Sequence, residues 1–160
     1  MLGWIWLSLV VIVLDQSSKH WVDATMRLYE SIELVPFFQL TYLRNQGAAF
    51  SFLAGAGGWQ RWFFIVLAVF ASAAICWWLS RLEKHRSWEA AAWALILGGA
   101  LGNLIDRIRY GYVIDFLDAY YREWHFPAFN VADSAITLGV IALLIDALRS
   151  RGSVQVDKAR

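Results

Sequence analysis

Charge is scarce in this chain: only 17% of its 160 residues are Asp, Glu, Lys or Arg, against about 25% in an ordinary soluble domain. There is one cysteine, Cys76, which excludes a disulfide framework and a cysteine-based metal cluster. The three histidines, His20, His85 and His125, are scattered and show no metal-ligand spacing. No glycine-rich phosphate loop is present, so neither a metal nor an organic cofactor is expected. The formal net charge of +1 is too weak a field to argue for a nucleic-acid partner. There is no internal repeat, no low-complexity tract and no mark of a second domain.

Apolar surface is what the chain has in excess, with 59% hydrophobic residues and ten tryptophans. A chain this short buries too small a fraction of itself to hide that much from water. The excess must face something else, which excludes a soluble globular enzyme and a disordered chain. Crossing the roughly 30 Å hydrocarbon core takes about 20 apolar residues in helix. Four segments qualify, at about 2–22, 60–80, 88–108 and 127–148. The first is expected to be an uncleaved helix and not a signal peptide, because it has no basic leader and Asp15-Gln-Ser-Ser-Lys19 stands where a small-residue cleavage site would fall. The fold class is an α-helical integral membrane protein with four transmembrane helices, a single domain over residues 1–150 and a disordered cytoplasmic tail at 151–160.

Basic residues are densest at 81–87 and after Arg149, which puts both termini in the cytoplasm. Tryptophans agree with this register: Trp4, Trp6, Trp77, Trp78 and Trp88 fall near one interface, and Trp21, Trp59, Trp62 and Trp124 near the other. Two regions then lie outside. Residues 24–58 have strand-like alternation on both sides of Pro36, broken by Gly55, Gly57 and Gly58, and predict a small extracytoplasmic β-structure on the membrane surface. Residues 109–126 are aromatic and amphipathic, which suits a periplasmic interfacial loop, short helix or flap.

Charged groups inside a span cost about 2.5–3.5 kcal/mol each at the bilayer centre, so they carry the information. Asp15 and Lys19 stand at i, i+4, and taken alone read as well as a structural ion pair. Asn103, Asp106 and Arg107 share one helix face beside Gly98-x-x-x-Gly102, a tightly packed polar seam that is either functional or purely structural. Asn130, Asp133, Ser134 and Thr137 form a second stripe, on a helix expected to hold Pro127 in its first turn. That start puts Asp133 roughly 9 Å down the axis. Asp115, in Tyr112-Val-Ile-Asp-Phe-Leu117, is an acid flanked by apolar residues. Two aspartates thus approach one short loop from either end. Such a pair holds one shared proton near neutrality and can activate a water against a carbonyl. Two other classes remain open: a small proton- or ion-coupled transporter, and a non-catalytic scaffold.

Five blocks, Asp15-Gln-Ser-Ser-Lys19, Asn45-Gln-Gly-Ala-Ala-Phe50, Gly98-Gly-Ala-Leu-Gly-Asn-Leu-Ile-Asp-Arg107, Val113-Ile-Asp-Phe116 and Phe129-Asn-Val-Ala-Asp-Ser134, resemble in order the signature of bacterial lipoprotein signal peptidase (signal peptidase II). The resemblance runs from about residue 10 to 150. It implies an intramembrane aspartyl endopeptidase of the bacterial inner membrane, cutting prolipoproteins just before the diacylglyceryl-modified cysteine. It also implies Asp115 and Asp133 as the catalytic pair, Asn45, Asn103, Arg107 and Asn130 as the substrate site, and Asp15, Lys19 and Asp106 as supports. Membrane lipid and globomycin-type cyclic peptide inhibitors are the further partners it implies.

Overall fold

The computed structural model describes residues 1–47 and 57–158, with side chains to residue 149. The Ala-Ala-Phe50 end of the second block, Gly55 and the final two residues lie outside the described residues. A 3-10 turn, Leu2–Trp4, leads into α1 (Ile5–Thr25), followed by β1 (Ser31–Val35), β2 (Phe38–Asn45), α2 (Trp59–Arg81), α3 (Ser87–Arg109), β3 (Val113–Tyr121), β4 (Trp124–His125) and α4 (Val131–Lys158). The strands make one antiparallel sheet in the order β1-β2-β3-β4.

α2, α3 and Val131–Arg149 of α4 are long and apolar enough to cross a membrane. α1 is long enough, but Asp15, Gln16, Lys19 and His20 make its second half polar. α2 presents Phe63, Val66, Leu67, Val69 and Phe70 outward, all exposed, the kind of surface that hydrocarbon covers and water does not. α3 is the central helix and packs against α1, α2 and α4.

Glycine makes that centre possible. A methyl group added at Gly98 would lie 2.7 Å from Val11 Cβ and 2.9 Å from the Ser8 carbonyl oxygen, and one at Gly102 would lie 2.6 Å from the Asp15 carboxylate. At Gly99 it would run into the Ala132 carbonyl. α1 therefore crosses α3 over Gly98 and Gly102, and α4 crosses it over Gly99, at backbone-to-backbone distance. Ser8 Oγ closes the first crossing by donating to the Ala94 carbonyl at 2.7 Å.

The sheet caps one end of the bundle. β1 and β2 fall on either side of Pro36, as the alternation predicts. The aromatic stretch at 109–126 departs from the expected interfacial loop or helix, because it supplies β3 and β4. Val113, Ile114 and Phe116 are buried, and Ile114 and Phe116 pack with Val22, Met26 and Tyr42 where the end of α1 meets β2. β-branched and aromatic residues fit such a half-buried pleated surface, and β2 offers the ladder that pairs them.

Two further expectations are corrected at α4. The helix begins at Val131, not at Pro127, because Asn130 caps it from outside. Its backbone also stays helical to Lys158, through residues expected to be a disordered tail; Gly152 carries the largest helix penalty in that stretch, about 1 kcal/mol, and the stretch holds no proline to break the helix.

The crossing at Gly99 gives a direct test. Gly99→Ala should lower stability by about 1–3 kcal/mol through overpacking, read as a lower unfolding midpoint in detergent. Gly3→Ala, with nothing within 4 Å of the added carbon, should leave it unchanged.

Candidate active site

α3 delivers Asn103, Asp106 and Arg107 to the end of the bundle, because their i, i+3, i+4 spacing keeps them on one face. The helix then stops at Gly111, whose φ of +84° is the left-handed conformation that glycine adopts at little cost. Arg61 of α2 seals the stop by donating to the Arg107 carbonyl at 2.9 Å and the Ile108 carbonyl at 3.0 Å. The chain turns directly into β3, and Asp115 follows two residues into the strand.

Asp115 is 3% exposed. Its Oδ1 accepts from Asn130 Nδ2 at 2.7 Å and its Oδ2 from Asn45 Nδ2 at 2.9 Å. Burial first, and the Asp133 carboxylate second, push its pKa up to about 7, against the lowering effect of those two donors.

Asp133 is the third residue of α4, one helical turn shallower than a start at Pro127 would put it. Asn130 Oδ1 accepts from the Asp133 N–H at 2.9 Å, and Asp133 Oδ2 accepts from the Asn130 N–H at 3.2 Å. That reciprocal pair is a capping box, so Asn130 caps the helix and does not belong to its polar stripe. Asp133 Oδ1 accepts from Asn103 Nδ2 at 2.8 Å. The two carboxylates thus share Asn130, which bonds to both.

Asp115, Asp133, Asn45, Asn103 and Arg107 line a cavity of about 600 Å³. Its remaining wall is largely apolar, with Val113, Phe126, Ile136 and Leu138. Arg107 reaches out of α3 to donate to the Gly47 carbonyl at 2.9 Å, with its guanidinium 5.0 Å from the Phe64 ring centroid. Asn45 Oδ1 accepts from the Gly47 N–H at 2.9 Å, so one short turn after β2 is held from both sides.

Asp15, Lys19 and Asp106 lie behind this cavity and do not line it. Lys19 Nζ is 2.8 Å from Asp15 Oδ2 and 3.0 Å from Asp106 Oδ2, and donates to Asn103 Oδ1 at 2.8 Å. Asp15 Oδ1 accepts from the Ala132 N–H at 2.9 Å, and Asp106 Oδ2 from the Ile114 N–H at 3.2 Å. Sequence reasoning passed over Gln16, whose amide donates to Asp106 at 2.8 Å, and the Gly47 backbone. Gln16 was visible within the Asp15–Lys19 block, but only the fold shows which acid it meets. Among the described residues no group of three or more His, Cys, Asp or Glu side chains is placed to hold a metal ion.

The comparisons with known proteins agree with one another. The profile of the signal peptidase (SPase) II family matches residues 7–149. The lipoprotein signal peptidase of Alteromonas mediterranea is 53% identical over 149 residues, covering 93% of this chain and 82% of that protein. The lipoprotein signal peptidase of Shewanella woodyi is 54% identical over 148 residues, covering 92% and 84%. A solved structure described as a bacterial membrane enzyme superimposes with a TM-score of 0.86 at 33% identity, covering 94% of this chain and 90% of the other.

The environment of Asp115 sets a pH dependence. Between an unfolded value of 3.8 and a folded value of about 7, the folded state binds the extra proton. Stability should therefore fall as pH rises from 4 to 7, by an amount on the order of 4 kcal/mol, and level off above. Unfolding midpoints in detergent across pH 4–8 should show that fall in the wild type and lose it in Asp115→Asn.

Proposed function

The chain belongs to the signal peptidase II family, and from that premise we propose that it is the aspartyl endopeptidase that removes signal peptides from prolipoproteins, before the diacylglyceryl-modified cysteine. The observation that carries this reading is the convergence of Asp115 from β3 and Asp133 from α4 on one cavity, each held by an amide side chain. With a pKa of about 7, Asp115 retains a proton near neutrality. Asp133 sits at the N-terminus of α4, where the helix dipole favours negative charge. In this reading Asp133 takes a proton from water as the water oxygen adds to the scissile carbonyl carbon. Asp115 gives its proton to the carbonyl oxygen, and a tetrahedral diol forms. The proton on Asp133 then passes to the amide nitrogen, the C–N bond breaks, and Asp115 recovers a proton as the carbonyl re-forms.

Asn45, Asn103 and Asn130 hold the two acids in place, and Asn45, Asn103 and Arg107, which line the cavity, hold the peptide; Asn130, fully buried, acts through the acids and does not face the cavity. Closing the peptide over the dyad would exclude bulk water from it. A globomycin-type cyclic peptide would compete for the same cavity. All four long helices are taken to span the bacterial inner membrane as one domain, α1 tolerating its charges because they face inward. Both termini are then cytoplasmic, and the sheet and site lie at the periplasmic face.

Asp115→Asn or Asp133→Asn should each lower cleavage of a diacylglyceryl-modified precursor peptide by at least about 10²–10⁴-fold. The double variant should be little worse than either, because residues acting as one unit are strongly non-additive. Both proteins should still insert and purify. A well-folded Asp133→Asn enzyme within a few-fold of wild type would sink the mechanism. Orientation is tested by a cysteine placed at Lys84 in a Cys76→Ala background. It should resist membrane-impermeant thiol reagents in intact cells, and ready labelling would reverse the topology.

A further inference from the structure

The cavity that holds Asp115 and Asp133 does not end at them. It continues along α4 over Ile136, Thr137 and Leu138. α4 starts at the end of the bundle that the sheet caps, so these three residues lie deeper in the apolar stretch Val131–Arg149 than Asp133 does. Thr137 stands four residues beyond Asp133, one turn and about 6 Å along the axis, on the same helix face. Of the three, Thr137 alone carries a side-chain hydrogen-bond donor.

The other polar residues at the start of α4 are already engaged. Asn130 caps the helix, Asp133 accepts from Asn103, and Ser134 donates its hydroxyl to the Asn130 carbonyl at 2.9 Å. A threonine hydroxyl facing lipid usually turns back in the same way to its own helix. Thr137 makes no such bond among the described residues. Its side chain is exposed at the cavity mouth, beside the exposed Leu138, and is therefore within reach of a bound molecule.

A substrate cut at this site needs a donor at this depth. Its apolar segment lies in the bilayer as a helix, and a peptide bond inside a helix is shielded by its own turns. Bringing that bond to Asp115 and Asp133 unwinds the helix end, which leaves carbonyls on the N-terminal side of the bond without their N–H partners. Hydrocarbon offers no water to replace those partners, so each such carbonyl is costly unless the enzyme supplies a donor.

We propose that Thr137 is a substrate-binding residue whose hydroxyl donates to a signal-peptide carbonyl freed by this unwinding, on the second, third or fourth residue before the cut bond. The inference rests on the peptidase reading. The offset of about 6 Å from Asp133 matches two residues of extended peptide at about 3.3 Å each.

The test uses the purified full chain and diacylglyceryl-modified precursor peptides. Thr137→Val keeps the shape of the side chain and removes the donor. It should raise KM about fivefold, the fold-change expected for one neutral hydrogen bond, with kcat unchanged because the bond is made equally in the ground and transition states. Thr137→Ser keeps the hydroxyl and should stay within about twofold of the wild type. Three further peptides each carry one thioamide, a weaker acceptor, at the second, third or fourth residue before the cut. With one of them the wild-type KM should rise and the ratio of Thr137→Val to wild type should fall to within about twofold of one. An unchanged KM in Thr137→Val would overturn the proposal, as would a Thr137→Ser enzyme as weak as Thr137→Val, or a ratio that persists with all three thioamides. A ratio that collapses only when the ester-linked acyl chains are replaced by ether-linked alkyl chains would give the hydroxyl to the lipid esters and overturn the peptide assignment. A wild type that cleaves no precursor would overturn the peptidase reading itself, and the role of Thr137 with it.

Discussion

One ammonium group holds the polar interior together. Lys19 Nζ, buried inside the bundle, is bonded to Asp15, Asp106 and Asn103, and each of those partners passes the constraint to a different element. Asp15 takes the Ala132 N–H and so fixes the start of α4. Asp106 takes the Ile114 N–H and fixes the start of β3, one residue before Asp115. Asn103 spends its oxygen on Lys19 and turns its amide nitrogen to Asp133. A charge buried at this depth is stable only when paired and fully hydrogen-bonded, and losing one partner typically costs about 3–5 kcal/mol. The network is therefore rigid because it must be complete.

That rigidity is transmitted to the two carboxylates in unlike ways. Asp115 sits within a strand, 3% exposed at the cavity wall, between two amide side chains. Asp133 sits in the first turn of a helix, half-buried, among N–H groups that face its carboxylate. Unlike surroundings are how two chemically identical groups come to divide acid and base roles. Asn130 couples them, since it caps the helix with its oxygen and backbone while its amide nitrogen bonds to Asp115.

The close helix crossings serve the same end. A side chain at Gly98, Gly99 or Gly102 would separate α1 and α4 from α3, and Lys19 and Asp15 would no longer reach their partners. Small residues at these positions bring the backbones together where no hydrophobic force acts between helices in lipid. The sheet is tied to this frame through Ile114, Phe116 and Tyr42 against Val22 and Met26. Positions on β2 and β3 are thereby referred to the same origin as the helices.

Local periodicity was enough to find much of this. The apolar runs located α2, α3 and most of α4, because a helix that faces lipid needs an uninterrupted stretch of the right length. The spacing of Asn103, Asp106 and Arg107 put them on one face, and the alternation around Pro36 found β1 and β2. Asp115 and Asp133 stood out as acids that apolar neighbours could not account for. What periodicity could not reach depends on partners distant in the chain. Aromatic residues at 109–126 suit an amphipathic loop, short helix or flap, and become strands because β2 offers them its ladder. Asn130 belongs to a polar stripe or to a helix cap according to where α4 starts, and Asp15 decides that from 117 residues away. Helical and strand spacing are set by neighbouring dihedral angles and can be counted along a sequence, whereas buried hydrogen bonds choose their partners from whatever the packed chain brings within 3 Å or so.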